Sequence, residues 1–437
     1  MKIAIIGTGI SANGAAWALN NSNDITVYEK NDRIGGHSNT VTVDYDGVPI
    51  AVDTGFIVYN TRNYPDLTAL FDAIEVPTED SNMSFAVSLD DGRFEYGIEG
   101  MGAVFAQRRN YLNLRYHAML REIFRFNKIC LEDRDAGRLE DESLGGFLSR
   151  NGFSDYFRKR YLLPMGGAIW STPLEAVLNY PARSFVDFFD NHGLVHPGDV
   201  PQWRTVTGGS RSYVKRLTAS FAKKIRMSTA AVSVTRKPDG VSITDSAGHK
   251  EDYDHVVIGC HSDEALEMLS DPSPLEQKHL SAIRYRPNDV YLHRDPSLMP
   301  RRRAAWSAWN YLGWPSKSGA LGREMAVTYW MNRLQNIDER YPLFVSLNPP
   351  RPPRDDLTFA QFDYAHPQYD GPARIARAAL GAIQGSRNTW YCGAYHGFGF
   401  HEDGLRSGLD CAQGLGARIP WRDDSAKPAF EMASVAE

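Results

Sequence analysis

The sequence predicts an α/β protein: a Rossmann-type nucleotide-binding domain assembled from separated segments, with an inserted mixed-sheet domain and a helical cap. Three observations carry this. The first thirty residues read as strand, glycine turn, helix and strand, which is the content of a βαβ unit. Strand-like runs return between Val232 and Gly259 and again at Trp390, so the opening unit has distant partners. Between them, residues 102–163 space Phe, Leu and Tyr at helical intervals with few β-branched residues.

Lys2 to Ile6 is a short apolar run that stops at glycine, as a buried parallel strand does. Ser11 to Leu19 has helical spacing, Ile25 to Tyr28 is the next strand, and Glu29 closes it. Val41 to Tyr45 and Val48 to Val52 alternate around Asp46-Gly47 and predict a hairpin. Val232–Thr235, Val241–Thr244 and His255–Gly259 read as strands, as do Met325–Met331 and Leu343–Leu347 within a mixed region of about 285–365. Pro349 to Pro353 breaks that region, and a helix is expected from about Gly404.

In Gly7-Thr8-Gly9-Ile10-Ser11-Ala12, Gly7 permits the tight turn and Gly9 lets backbone approach a pyrophosphate. The helix opening at Ile10, Ser11 and Ala12 offers unpaired N–H groups to that anion. Glu29 stands twenty residues beyond Gly9, where a carboxylate accepts ribose hydroxyls. Such turns also join strands to helices for structural reasons alone; the position at residue 7 and the acid favour the nucleotide.

A net charge of -5 opposes a nucleic-acid partner. The four cysteines are scattered, without CxxC or metal-ligand spacing, which fits reduced thiols and no metal. No secretory signal and no spanning apolar run is present, so the expected location is cytoplasmic.

The turn does not separate nicotinamide from flavin; the following segments do. Arg33-Ile34-Gly35-Gly36-His37, Asp53-Thr54-Gly55-Phe56, Thr207-Gly208-Gly209-Ser210, Tyr391-Cys392-Gly393-Ala394 and His401 to Gly408 resemble the flavin amine oxidase and protoporphyrinogen oxidase superfamily. The resemblance implies FAD in a domain of the GR2, amine oxidase-like type. It implies that Glu29, Lys30, Arg33, Gly35, Gly36, His37, Thr54, Gly55 and Phe56 line the cofactor with the first turn. It further implies that Val232 meets the adenine through backbone, and that Gly393, Asp403, Gly404, Leu405 and Ser407 close the site. Where the family has Gly-Ala, this chain has Asp403-Gly404-Leu405, which leaves the register open by one residue. The family's lysine near the flavin is not identifiable; Lys278 and Lys317 stand in other contexts. Motif order implies a discontinuous FAD domain of 1–60, 205–275 and 385–421. A substrate domain of 61–204 and 276–384 carries the cap at about 100–200, and 422–437 forms a loose tail.

Tyr161 to Gly166, Ala168 to Pro173, Phe188 to Gly193, Met299 to Arg302, Thr328 to Asn332 and Gly399 to Gly404 are similar to one bacterial subfamily of predicted NAD/FAD-binding proteins. It includes the desaturase of methylated fatty acyl chains in furan fatty acid formation. Its members are often encoded beside cyclopropane-synthase-like methyltransferases, so the resemblance implies a lipid substrate and such a partner. The leading expectation is desaturation of a methyl-branched acyl chain, free or in phospholipid. A redox-neutral fatty-acid double-bond isomerase, an amine oxidase and a non-catalytic lipid-presenting scaffold are the alternatives. Candidate bases are His396, His401 and Glu402, with Tyr329, Trp330 and Trp170 as wall. His401 and Glu402 also suit helix capping, and Tyr329 and Trp330 alternate on a strand, so at most one faces the flavin. Gln107 to Lys128 interleaves six basic residues with apolar ones. It reads either as a cap helix packed on a core or as a peripheral contact with the inner membrane face.

Overall fold

The computed structural model describes residues 1–170, 174–196, 198–315 and 323–423. Ser171, Thr172, Pro173, Lys317 and the tail past 423 lie outside the described residues. Six helices position the site: α1 (Ile10–Leu19), α2 (Pro65–Ala73), α3 (Leu114–Asp135), α4 (Ala182–Asn191), α5 (Gly371–Ala379) and α6 (His401–Gly414).

A five-stranded parallel sheet runs in the order Ile225–Arg226, Asp24–Tyr28, Lys2–Ile6, His255–Ile258, Thr389–Tyr391. From Ile3 to Ile6 the opening strand is apolar because both its faces are buried. Ile3 and Ile5 join Ala12, Ala15 and Ala16 of α1, while Ala4 and Ile6 join Val256 and Ile258. Helices α1 and α6 approach closely: a Cβ at Gly408 would lie 2.0 Å from the Ser11 carbonyl oxygen. The expected hairpin forms between Thr40–Tyr45 and Val48–Asp53, with Asp46 and Gly47 both at positive φ.

A seven-stranded sheet forms the second layer, ordered Thr358–Pro367, Tyr285–His293, Phe344–Leu347, Arg323–Trp330, Trp309–Pro315, Phe85–Leu89, Phe94–Gly97. It is antiparallel except where Trp309–Pro315 runs parallel to Phe85–Leu89. The last two strands come from far upstream and extend the mixed sheet read from residues 285–365. Tyr329 joins the core shared with the cap, whereas Trp330 packs with Met299 and Phe344, as alternation along a strand requires.

The cap buries the inner face of α3. Tyr116, Met119, Phe126 and Cys130 are fully buried, each large side chain contributing about 1.5–3 kcal/mol. Phe126 meets Phe189 of α4 at 6.5 Å, and Arg134 pairs with Asp190. The core reading of this helix therefore holds for its inner face. No helix among the described residues is long and apolar enough to cross a membrane.

Helix α6 begins at His401, three residues before the expected Gly404. The cause is Asp403, whose carboxylate accepts the Phe398 and Phe400 amides at 2.8 and 3.1 Å and so starts the helix early.

Candidate functional site

The first glycine turn is held by the Gly7 N–H donating to the Tyr28 carbonyl at 2.8 Å, with Gly7 at φ +99°. A Cβ built on Gly9 meets nothing within 4 Å, so this side of the turn is open. Helix α1 starts there with no side-chain cap and no acid in its first turn, leaving its N–H groups and partial positive charge for an anion. Ile10, Ser11 and Ala12 are buried in that first turn.

Glu29 is buried beside the turn. Its carboxylate accepts the Thr8 hydroxyl and the Asn31 main-chain and side-chain N–H groups, the latter two at 2.8 and 3.0 Å. A carboxylate offers about four lone-pair positions, so these contacts leave room for further donors. Lys30 turns away to Glu264 at 2.5 Å. Arg33 donates to the Gly36 carbonyl at 2.8 Å, and the Gly35 N–H donates to the Thr8 carbonyl at 3.1 Å. A Cβ on Gly36 would stand 3.0 Å from the Gly9 Cα, so the second glycine loop lies directly on the first.

The segment at Asp53 closes on the same loop. Phe56 N–H donates to the His37 carbonyl at 2.9 Å, and the Thr54 N–H to the Asn39 carbonyl at 2.9 Å. A Cβ on Gly55 would meet the His37 oxygen at 2.1 Å, so only glycine fits. From the far end, Gly393 N–H donates to Ser407 Oγ at 2.9 Å, and that hydroxyl donates to the Gly404 carbonyl at 2.8 Å. Leu405 is buried against α1 near Gly14. Val232 occupies a β-bulge between Ala231 and Ser233, outside the paired register, with its side chain half exposed.

His401 is partly buried, with its ring stacked on Phe56, centroids 3.8 Å apart. Its Nε2 lies 2.9 Å from both the Ser38 and Tyr213 hydroxyls, and burial pushes its pKa down to about 3. Both Glu402 oxygens accept main-chain N–H groups of Asp66 and Leu67, each at 3.0 Å, so this side chain caps α2, not its own helix. Burial raises Glu402 to about 7. His396 is partly buried, its Nε2 is enclosed without a partner, and desolvation lowers its pKa to about 4. Tyr329 is buried with its ring edge-on to Trp309 at 4.8 Å.

A histidine cluster forms here without any local sequence signal. His37 lies 6.3 Å from His261 and 5.7 Å from His366, ring to ring, with Tyr364 at 5.1 Å. His37 Nε2 has no partner, and burial followed by the neighbouring imidazoles holds the ring well below its usual pKa. The residues span more than three hundred positions, so no local signal could find them.

A narrow cleft with about 20 Å³ of water-accessible space is lined by Trp170, Tyr180, Phe185, Tyr369 and Phe398, with Arg374 and Arg377 of α5. No carboxylate is among its lining residues. Arg377 donates to the Gly397 carbonyl at 2.7 Å and lies over Phe398, yet neither arginine has an ion-pair partner among the described residues. The Tyr369 hydroxyl, buried, has no hydrogen-bond partner. An aromatic run leads inward: Trp170 to Phe188 at 4.8 Å, then Phe188 stacked on Phe400 at 5.2 Å, beside the start of α6.

These features fit an extended dinucleotide. The open face of Gly9, the uncapped α1, the bulge at Val232 and the unpartnered imidazoles fall on segments that meet in space. The family described as flavin containing amine oxidoreductase matches residues 14–291. Among solved structures, the chain is similar to the CLA-producing fatty acid isomerase from P. acnes, at 16% identity and a TM-score of 0.66, covering 94% of this chain and 98% of that one. It is similar to cyclohexylamine oxidase from Brevibacterium oxydans IH-35A at 16% identity and a TM-score of 0.68, covering 95% and 98%. Putrescine oxidase bound to putrescine aligns at 13% identity and a TM-score of 0.66, over 96% and 100%. No curated protein sequence matches.

Proposed function

We propose a function from one premise: this chain belongs to the flavin containing amine oxidoreductase family and is an FAD-dependent oxidoreductase. Its proposed substrate is an amphiphile with an anionic end and a methyl-branched acyl chain, and its proposed reaction is desaturation of that chain. The observation that supports this over amine oxidation is the cleft. Two guanidinium groups and no carboxylate would repel an ammonium and attract a carboxylate or phosphate. Aromatic walls suit the apolar chain behind that head group.

Bound FAD supplies an acceptor for a hydride and its electron pair. Desaturation removes one hydrogen from a C–H bond as that hydride and one from the adjacent carbon as a proton. Of the proposed bases, His396 has an unengaged Nε2 and stays neutral through burial. In this reading His401 holds the wall with Ser38 and Tyr213, and Glu402 fixes α2. The first glycine turn and Glu29 would hold the nucleotide end, with Arg33 to His37 and Thr54 to Phe56 along the rest. A second reading, redox-neutral double-bond isomerisation, draws on the fold shared with a fatty acid isomerase.

The test is the pair Arg374→Gln and Arg377→Gln. Charge-assisted hydrogen bonds are worth roughly 1.5–3 kcal/mol each. KM for an anionic acyl substrate should therefore rise about tenfold or more for each variant, with kcat changed less. Unchanged KM, or turnover of simple amines in place of acyl substrate, would refute the reading.

A further inference from the structure

The outer side of the cap presents a surface that neither the core nor the cleft uses. Leu112 is 89% exposed and Leu114 is 83% exposed, on either side of Asn113, the residue that caps α3. Tyr111, Met101 and Phe124 are also exposed. Tyr111 is held in place, stacked on Phe105 at 4.1 Å, and its carbonyl lies 2.9 Å from His117 Nε2. The corner before α3 is thus a built structure that points leucines outward. Single exposed apolar residues are ordinary; a cluster at one corner marks a contact surface.

Charge decides the partner. Arg108, Arg115 and Arg121 are exposed and have no ion-pair partner among the described residues. Arg109 and Arg125 donate to main-chain carbonyls of Arg93 and Asn151, which leaves their charge uncompensated. The one acid between Gln107 and Lys128, Glu122, is occupied by the Ser154 N–H and hydroxyl at 2.8 and 2.5 Å. At 100° per residue, Leu114, Arg121 and Arg125 fall on one line of α3, with Phe124 and Lys128 beside it. The opposite line is the buried one of Met119, Phe126 and Cys130.

We propose that this corner and the outer face of α3 dock on an anionic lipid bilayer, with Leu112 and Leu114 inserted among the acyl chains and the arginines on the head groups. Apolar tips ringed by unpaired cations are what an interfacial helix needs, and an acidic protein surface would supply the charge but no phase for the leucines. Helix α3 packs on α4, whose Phe185 lines the cleft, so the docked face and the cleft belong to one cap. The proposal stands whatever reaction the cleft serves.

The test is flotation of the full-length, FAD-loaded protein with two kinds of vesicle: phosphatidylcholine alone, and phosphatidylcholine with about one-third phosphatidylglycerol. Each basic residue at an anionic surface is worth about fivefold in affinity. Binding is expected on the anionic vesicles, weaker on the neutral ones, and falling with added salt. Arg108→Gln/Arg121→Gln/Arg125→Gln should lower it on the order of a hundredfold. Leu112→Ser/Leu114→Ser should lower it at least about tenfold. Both sets should keep the flavin spectrum and melting temperature of the parent. No binding to anionic vesicles, or binding that neither set of changes weakens, would overturn the proposal. So would a dimer of the chain that Leu112→Ser/Leu114→Ser dissolves while vesicle binding is absent, because that would assign the surface to a second copy.

Discussion

Asp53→Ala is expected to destabilise the protein by about 3–5 kcal/mol, a large part of the roughly 5–15 kcal/mol typical of a domain. The Asp53 carboxylate is almost fully buried and accepts the Ser210 N–H at 2.9 Å, the Ser210 hydroxyl at 2.7 Å, the Thr40 hydroxyl at 2.6 Å and the Gln335 amide at 2.9 Å. Gln335 in turn accepts the Asp53 N–H at 2.8 Å. One side chain therefore ties the hairpin to the loop before Arg211 and, through Gln335, to the end of the short helix Met331–Leu334 that follows the second sheet's strand. Alanine removes the acceptor and strands the Ser210 N–H and the Gln335 amide in the interior. The two hydroxyls, 3.2 Å apart, can still pair with each other. Asp53→Asn keeps one oxygen and should cost less, roughly 1–3 kcal/mol. Denaturant midpoints with saturating FAD measure both; an alanine variant within about 1 kcal/mol of the parent would refute the account of this knot.

The second large effect is acid lability. Burial pushes His401 down to about 3, and His192, His293, His366 and His396 to about 4 each. Below the usual 6.5 the unfolded chain takes up a proton at each of these rings and the native chain does not. The stability they allow is thus complete above pH 6.5 and is lost as pH falls toward 4, by about 1.4 kcal/mol per ring per pH unit. Asp53, raised by burial to about 6, and Glu402, raised by burial to about 7, act in the opposite sense. Their native forms bind protons over a range where the unfolded forms do not, so they add stability as pH falls. Five rings outweigh two carboxyls, which leaves a net loss on the order of 4 kcal/mol per pH unit between about 6 and 4.5. Denaturant midpoints at pH 7.5, 6.5 and 5.5 should fall steeply across the last step. A midpoint that rises on acidification would show that these rings are not buried as neutral groups.

What was legible in the sequence was local. The strand at Lys2, the glycine turn, Glu29 and the Asp46-Gly47 hairpin are each specified within a few residues, by apolar runs and by positions that tolerate positive φ. What was not legible is pairing across distance. Nothing near Phe85–Leu89 announces that it will run beside Trp309–Pro315. Glu402 reads as a base or as a cap for its own helix, and its actual partners stand at Asp66 and Leu67. The early start of α6 depends on an aspartate at the third helical position with phenylalanine at the cap, a pattern without the usual Ser or Thr signal. The two arginines of the cleft sit three residues apart on α5 with Tyr369 just before it, but the other aromatic walls come from residues 170–185 and 398.

The most direct test of the central claim is an anaerobic absorbance titration of the FAD-loaded protein with a methyl-branched acyl lipid, with simple amines as the control. Bleaching of the flavin band by the lipid alone, with one added double bond in the product by mass spectrometry, is the expected result. Bleaching by amines, or by neither substrate while FAD remains bound, would contradict the desaturase reading.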